Sequence, residues 1–124
     1  MSNPIGNFMK TPVHSISSEE TIWRASQKMH EHQIGSLLVT DNGEYVGILT
    51  KTDLIYKVVE KGLEPRQTRV MDIMTQPVLS MDDQASAVEA RDFMIDRNIQ
   101  RLAVTRNGEI VGILSVKDLM SCLG

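Results

Sequence analysis

Asn42-Gly43-Glu44-Tyr45-Val46-Gly47-Ile48-Leu49-Thr50-Lys51-Thr52-Asp53-Leu54 returns later in the chain as Asn107-Gly108-Glu109-Ile110-Val111-Gly112-Ile113-Leu114-Ser115-Val116-Lys117-Asp118-Leu119. Extended outward at the same offset of 65, the match lays residues 8–56 on residues 73–121 without a gap, and nineteen of those 49 positions are identical. One copy of about 60 residues cannot bury its own apolar face, so two copies imply half-domains related by a pseudo-twofold axis. The expected organisation is a first repeat over 8–62, a linker over 63–70 and a second repeat over 71–124, together making one domain of the 124-residue chain.

Periodicity changes along each copy. Pro12-Val13-His14-Ser15-Ile16 reads as a short strand, since proline disfavours helix before it and Val and Ile favour extended backbone. From Glu19 to His32, Ile22, Ala25 and Met29 recur at helical spacing behind an acidic start, and Ala87, Ala90 and Met94 repeat that face. Ser36–Thr40 and Tyr45–Leu49 flank Asn42-Gly43, the residues a tight hairpin needs for its positive φ angles; Asn107-Gly108 does the same in the second copy. A second helix is expected from about Lys51 to Lys61, burying Leu54, Ile55, Val58 and Val59 and ending at Gly62. The fold class is α/β (α+β), written as β-α-β-β-α twice.

Composition excludes several functions. No apolar run approaches the roughly 20 residues of a membrane-spanning helix. The start Met1-Ser2-Asn3-Pro4-Ile5-Gly6-Asn7 lacks the basic and apolar stretches of a secretory signal, so a cytoplasmic location is expected. Thirteen Lys and Arg against sixteen Asp and Glu give a net charge of −3, which disfavours nucleic acid as a partner. The single cysteine, Cys122, makes no internal disulfide or thiolate metal site. No nucleophile, base and acid form a catalytic set, and an enzyme is not expected. His30 and His32, two apart on one helix, lack the spacing of a metal pair, and no metal or obligatory cofactor is implied.

Chemistry concentrates where each copy joins its third strand to its second helix, through Gly-Ile-Leu-(Thr or Ser)-x-x-Asp. Thr50 with Asp53, and Ser115 with Asp118, have the spacing of a capping box, which satisfies backbone N–H groups at a helix start. The same position offers phosphate a positive dipole end, a hydroxyl donor and an acid able to accept from a ribose. The spacing alone fits both uses.

Taken whole, from about Phe8 to Leu123, the chain resembles a tandem pair of cystathionine-β-synthase (CBS) domains, the Bateman module, in the form of a small stand-alone CBS-domain protein. Met9-Lys10-Thr11-Pro12-Val13, echoed by Met74-Thr75-Gln76-Pro77-Val78, and Ile99-Gln100-Arg101-Leu102-Ala103-Val104 carry the resemblance beyond the two helix starts. It implies two repeats packed through their sheets, with clefts between them that take adenosine-containing ligands such as AMP, ADP, ATP or S-adenosylmethionine. Such a module senses the ligand and regulates a partner protein.

In one cleft the resemblance puts Asp118 on the ribose, with Ser115 and Arg101 on the phosphate and Lys10, Val13, His14, Ile34, Gly35 and Ser36 opposite. In the other, Asp53, Thr50 and Thr52 face Thr75, Val78, Leu79, Ile99 and Gln100. The family often has a proline where this chain has Leu38 and Ala103. Arg101 stands where the first copy has Ser36, so the Asp118 cleft is expected to bind tighter. The competing reading is a ligand-independent module for homodimerisation or protein docking, with Trp23 and the apolar run Leu119, Met120, Cys122 and Leu123 at its interface. Lys57, Lys61, Arg66 and Arg69 near the linker read as solvated charge.

Overall fold

A computed structural model describes residues 3–123, with side chains through Ser121. The chain forms two compact units: one spans His14–Val78, and the other joins the chain from Leu79 onward to the segment ending at Val13. The first unit runs β1 (Ser15–Ser17), α1 (Ile22–His32), β2 (Ser36–Asp41), β3 (Glu44–Thr50) and α2 (Lys51–Asp53). A π-helical turn (Leu54–Val59) and two 3₁₀ turns (Pro65–Gln67 and Val70–Asp72) follow. The second unit has a 3₁₀ turn (Ile5–Asn7), β4 (Ser80–Asp82), α3 (Ala87–Arg97), β5 (Arg101–Arg106), β6 (Glu109–Ser115) and α4 (Val116–Leu123). Each sheet has three strands, β1-β2-β3 and β4-β5-β6, with a parallel pair and then an antiparallel hairpin. The expected β-α-β-β-α class is the one observed.

Local chemistry accounts for the boundaries. The Thr21 hydroxyl caps α1 by accepting from the Arg24 N–H at 3.1 Å, so α1 begins after Glu19 and Glu20 instead of including them. Ser86 and Glu89 form a reciprocal capping box on α3. Gln33 and Asn98, both at φ 54, end the two helices in the left-handed conformation. Asn42 and Gly43, at φ 52 and φ 80, make the β2–β3 turn as expected of the Asn-Gly pair. Buried Ile22, Ala25 and Met29 face the first sheet's core, and Ala87, Ala90 and Met94 face the second.

The expected strand at Pro12–Ile16 pairs only from His14, whose carbonyl accepts from the Leu38 N–H at 3.0 Å, and β1 proper starts at Ser15. The expected helix over 51–61 is also different. After Asp53 the backbone widens, and the N–H groups of Glu60 and Leu63 reach back five residues to the carbonyls of Ile55 and Val58. That wider turn breaks the helical phase that would align four apolar residues. Only Val58 is buried; Leu54 is half-buried, whereas Ile55 and Val59 are 55% and 71% exposed.

Packing units run out of step with the sequence repeats. Ile5 is fully buried among Ala87, Met94, Leu102 and Leu114, while Val70 and Ile73 complete the core around Ile16, Leu37 and Leu49. Each arriving segment then docks on a third strand through a two-way backbone bridge. Lys10 exchanges hydrogen bonds with Ile113 at 2.8 and 3.1 Å, and Thr75 exchanges them with Ile48 at 2.9 Å each way.

Glycine makes room for both dockings. A Cβ on Gly47 would lie 2.8 Å from the Thr75 carbonyl oxygen and 2.9 Å from Met74 Sδ, and one on Gly112 would collide with the Met9 thioether. Gly47→Ala should therefore destabilise the protein by about 1–3 kcal/mol in urea unfolding, the range for overpacking a closed site. Gly112→Ala should cost less, because its obstacle is a flexible side chain instead of a bridged backbone. Equal, near-zero costs would show that neither docking is tight.

Candidate functional site

The Gly-Ile-Leu strand delivers a hydroxyl residue and an acid to the same place in each unit. In the first unit the Thr50 N–H donates to Asp53 Oδ2 at 3.0 Å and the Asp53 N–H donates to Thr50 Oγ1 at 3.2 Å, completing the capping box. In the second, Asp118 Oδ2 accepts from the Ser115 N–H at 2.9 Å and its hydroxyl at 3.0 Å, and the Asp118 N–H donates to Ser115 Oγ at 3.2 Å. The boxes expected from the spacing are present, yet they use only one oxygen of each carboxylate.

The second oxygen meets a lysine. Asp118 Oδ1 lies 3.5 Å from Lys10 Nζ, and Asp53 Oδ1 lies 3.0 Å from Lys57 Nζ. Both acids are nearly buried, at 9% and 8% exposure. A desolvated carboxylate whose outer oxygen faces a lysine retains acceptor capacity that a ligand could use once that lysine moves. Asp83, another buried acid, is a structural contrast: the Arg106 guanidinium grips it at 2.7 Å, and this hydrogen bond holds its carboxyl below the usual range despite desolvation.

The structure brings Lys10, Arg101, Ser115 and Asp118 into one unit. Arg101 stands directly across the β5–β6 ladder from Ser115, so the two side chains share a sheet face. Among the described residues no carboxylate forms an ion pair with Arg101. Val13, Leu79, Ile99 and Gln100 belong to the same unit. The Leu79 carbonyl accepts from Ala103, the Gln100 carbonyl accepts from Val116, and Ile99 packs on the core.

In the first unit Thr50, Asp53 and Thr75 converge, and the Thr75 hydroxyl donates to Asp53 Oδ1 at 3.5 Å. Ser36 pairs with Thr50 across the β2–β3 ladder, the Gly35 carbonyl accepts from the Lys51 N–H, and Ile34 packs on the core. Val78 is half-buried in this unit, and Thr52 is exposed on α2.

Other expectations need correction. Lys57, read as solvated charge, holds Asp53 and also donates to the Ile73 carbonyl at 3.0 Å and Thr75 Oγ1 at 3.3 Å. The Asp53–Lys57 spacing of four on a helix was the signal for this pair. Arg66 and Arg69 are exposed, as expected of solvated charge, with Arg66 over the Trp23 ring at 4.6 Å and Arg69 donating to the Glu19 carbonyl at 2.8 Å. The side chains of Cys122 and Leu123 fall outside the described residues.

One contact had no sequence signal. His14 and His32 stack with ring centroids 4.1 Å apart, and Lys28, beside them, donates to the Ser15 carbonyl. Burial first, then the neighbouring charges of His32 and Lys28, push His14 below the ordinary histidine value.

The CBS-domain pattern matches residues 5–60 and again residues 70–124. The chain belongs to the CBS-domain family. Its two CBS repeats align over 118 residues with an uncharacterized protein, MK0525, of Methanopyrus kandleri at 36% identity, covering 94% of this chain but only 60% of that one's length. A solved putative signal-transduction protein with CBS domains from Burkholderia ambifaria superposes at TM-score 0.89 and 28% identity, covering 98% of this chain and 93% of its own. The hexameric CBS-CP12 protein from bloom-forming cyanobacteria superposes at TM-score 0.91 and 28% identity, covering 98% of this chain and 72% of the other.

A histidine whose folded-state affinity for protons is reduced costs stability as pH falls through about 6.5, where the unfolded chain takes up the proton first. The loss levels off once pH drops below the folded value. His14→Leu, which installs the residue of the equivalent position 79, should flatten the change in urea midpoint between pH 7.5 and 5.5. An unchanged pH slope would remove His14 as its source.

Proposed function

We propose that this CBS pair is a regulatory module that binds an adenosine-containing ligand and alters the behaviour of a partner protein. The observation that carries the reading is the divided carboxylate of Asp118, with Oδ2 committed to Ser115 and Oδ1 against a lysine whose side chain is 78% exposed. A ribose hydroxyl donating to Oδ1 would displace that lysine easily. Ser115 and the guanidinium of Arg101, which pairs with no carboxylate among the described residues, lie on the side where a phosphate would be received. Family membership supports the same assignment. AMP, ADP, ATP and S-adenosylmethionine are the candidate ligands, and the chemistry is recognition, with no catalytic step.

Asp118→Asn keeps a side-chain oxygen for the cap while removing the charge. It should weaken AMP by about 1.5–3 kcal/mol, or roughly tenfold to a hundredfold, in calorimetry of the folded protein. Equal affinity for variant and parent would sink the assignment. With parent protein, AMP at a hundred times its dissociation constant should add about 2.7 kcal/mol of stability, seen as a raised Tm.

A second reading, self-association, rests on a different observation. α3 and α4 flank an apolar groove of about 590 Å³ lined by Met94, Ile95, Ile99, Val116 and Met120. Ile95 and Met120 are 71% and 68% exposed, more than an isolated surface needs. The hexameric state of the CBS-CP12 relative makes assembly of this chain reasonable. Light scattering should give a mass above 13.9 kDa for the parent and a monomer for Ile95→Glu. A monomeric parent would eliminate this reading.

A further inference from the structure

Resting on the nucleoside-binding reading, we propose that Lys57 is a specificity-determining residue that makes the Asp53 site accept phosphorylated ligands and refuse uncharged ones. A carboxylate oxygen offers two lone-pair directions. On Asp53 Oδ1 both are occupied, by the Lys57 ammonium at 3.0 Å and the Thr75 hydroxyl at 3.5 Å, and Oδ2 already accepts from the Thr50 N–H at 3.0 Å. A ribose diol arriving alone finds room for one hydrogen bond where it needs two.

At the equivalent acid three acceptor positions are likewise taken, two on Oδ2 by Ser115 and one on Oδ1 by a cation, so the difference lies in how firmly that cation is held. At Asp118 Oδ1 the cation is Lys10, farther off at 3.5 Å and on a side chain twice as exposed, 78% against 40% for Lys57. Lys57 is also pinned by the Ile73 carbonyl at 3.0 Å and the Thr75 hydroxyl at 3.3 Å, so moving it breaks three contacts and not one. An uncharged nucleoside offers nothing in exchange. A phosphate does, because the same ammonium can leave Asp53 for the phosphate oxygens and free Oδ1 for the ribose in one movement. Lys57 has no counterpart in the other copy, where position 122 is cysteine, so the selection belongs to the Asp53 site alone.

The test isolates that site in the Asp118→Ala background and measures adenosine and AMP by calorimetry with Lys57 intact, with Lys57→Gln and with Lys57→Arg. With lysine, AMP should bind at least tenfold tighter than adenosine. Lys57→Gln should strengthen adenosine and weaken AMP so that the ratio falls to about one, and Lys57→Arg should keep the preference. A ratio unaffected by Lys57→Gln overturns the proposal while leaving nucleoside binding in place. If neither compound binds any variant or the parent protein, both the proposal and the nucleoside-binding reading are overturned. Far-UV circular dichroism establishes that each variant is folded, and Lys57→Arg alone decides the matter should the glutamine variant unfold, because loss of the preference with a retained cation contradicts the mechanism.

Discussion

Two short backbone bridges, Lys10 to Ile113 and Thr75 to Ile48, hold the opening segment of each repeat against a third strand, and much of the structure depends on them. A three-stranded sheet with one or two helices exposes more apolar surface than it can cover. Ile5 closes one core, and Val70 with Ile73 closes the other. Bringing those residues in sets the Thr75 backbone almost on Gly47 and the Met9 side chain almost on Gly112, and glycine at each position leaves the room. The Gly-Ile-Leu motif is thus first a docking surface.

The same bridges build the candidate sites. Lys10 and Thr75 are repeat-equivalent residues, and docking sets each beside the acid that caps the following helix. Stability and recognition share these residues but divide their atoms. In each acid one carboxylate oxygen secures the helix start and the other is left for a cation or a ligand. This division explains how a common structural device can also be a binding group. It also explains why the two sites need not be equal, since the cations on the outward oxygens differ in position and in anchoring.

Much of this was legible in the sequence because a repeat doubles every signal. Ile22, Ala25 and Met29 were readable as a buried face once Ala87, Ala90 and Met94 confirmed the spacing, and both Asn-Gly turns fell where positive φ was expected. The Thr50–Asp53 and Ser115–Asp118 boxes were also readable, being set by three-residue spacing. The π turn after Asp53 was not, because the pattern Leu54, Ile55, Val58, Val59 fits an ordinary helix and only tertiary packing selects Val58. Lys57 was missed because charge near a linker resembles solvated charge until its acceptors are located. The His14–His32 stack joins residues eighteen apart, with nothing in either neighbourhood to announce the other.

Mapping of backbone amide shifts by NMR on titration with AMP tests the central claim most directly, because the Ser115 and Asp118 amides are bonded within the box that holds the Asp118 carboxylate. The account predicts that the largest shifts fall on Ser115–Asp118 and on Lys10, as ribose displaces the lysine from Asp118 Oδ1. Shifts confined to Ile95, Ile99 and Met120 of the α3–α4 groove, or none at saturating AMP, would contradict it.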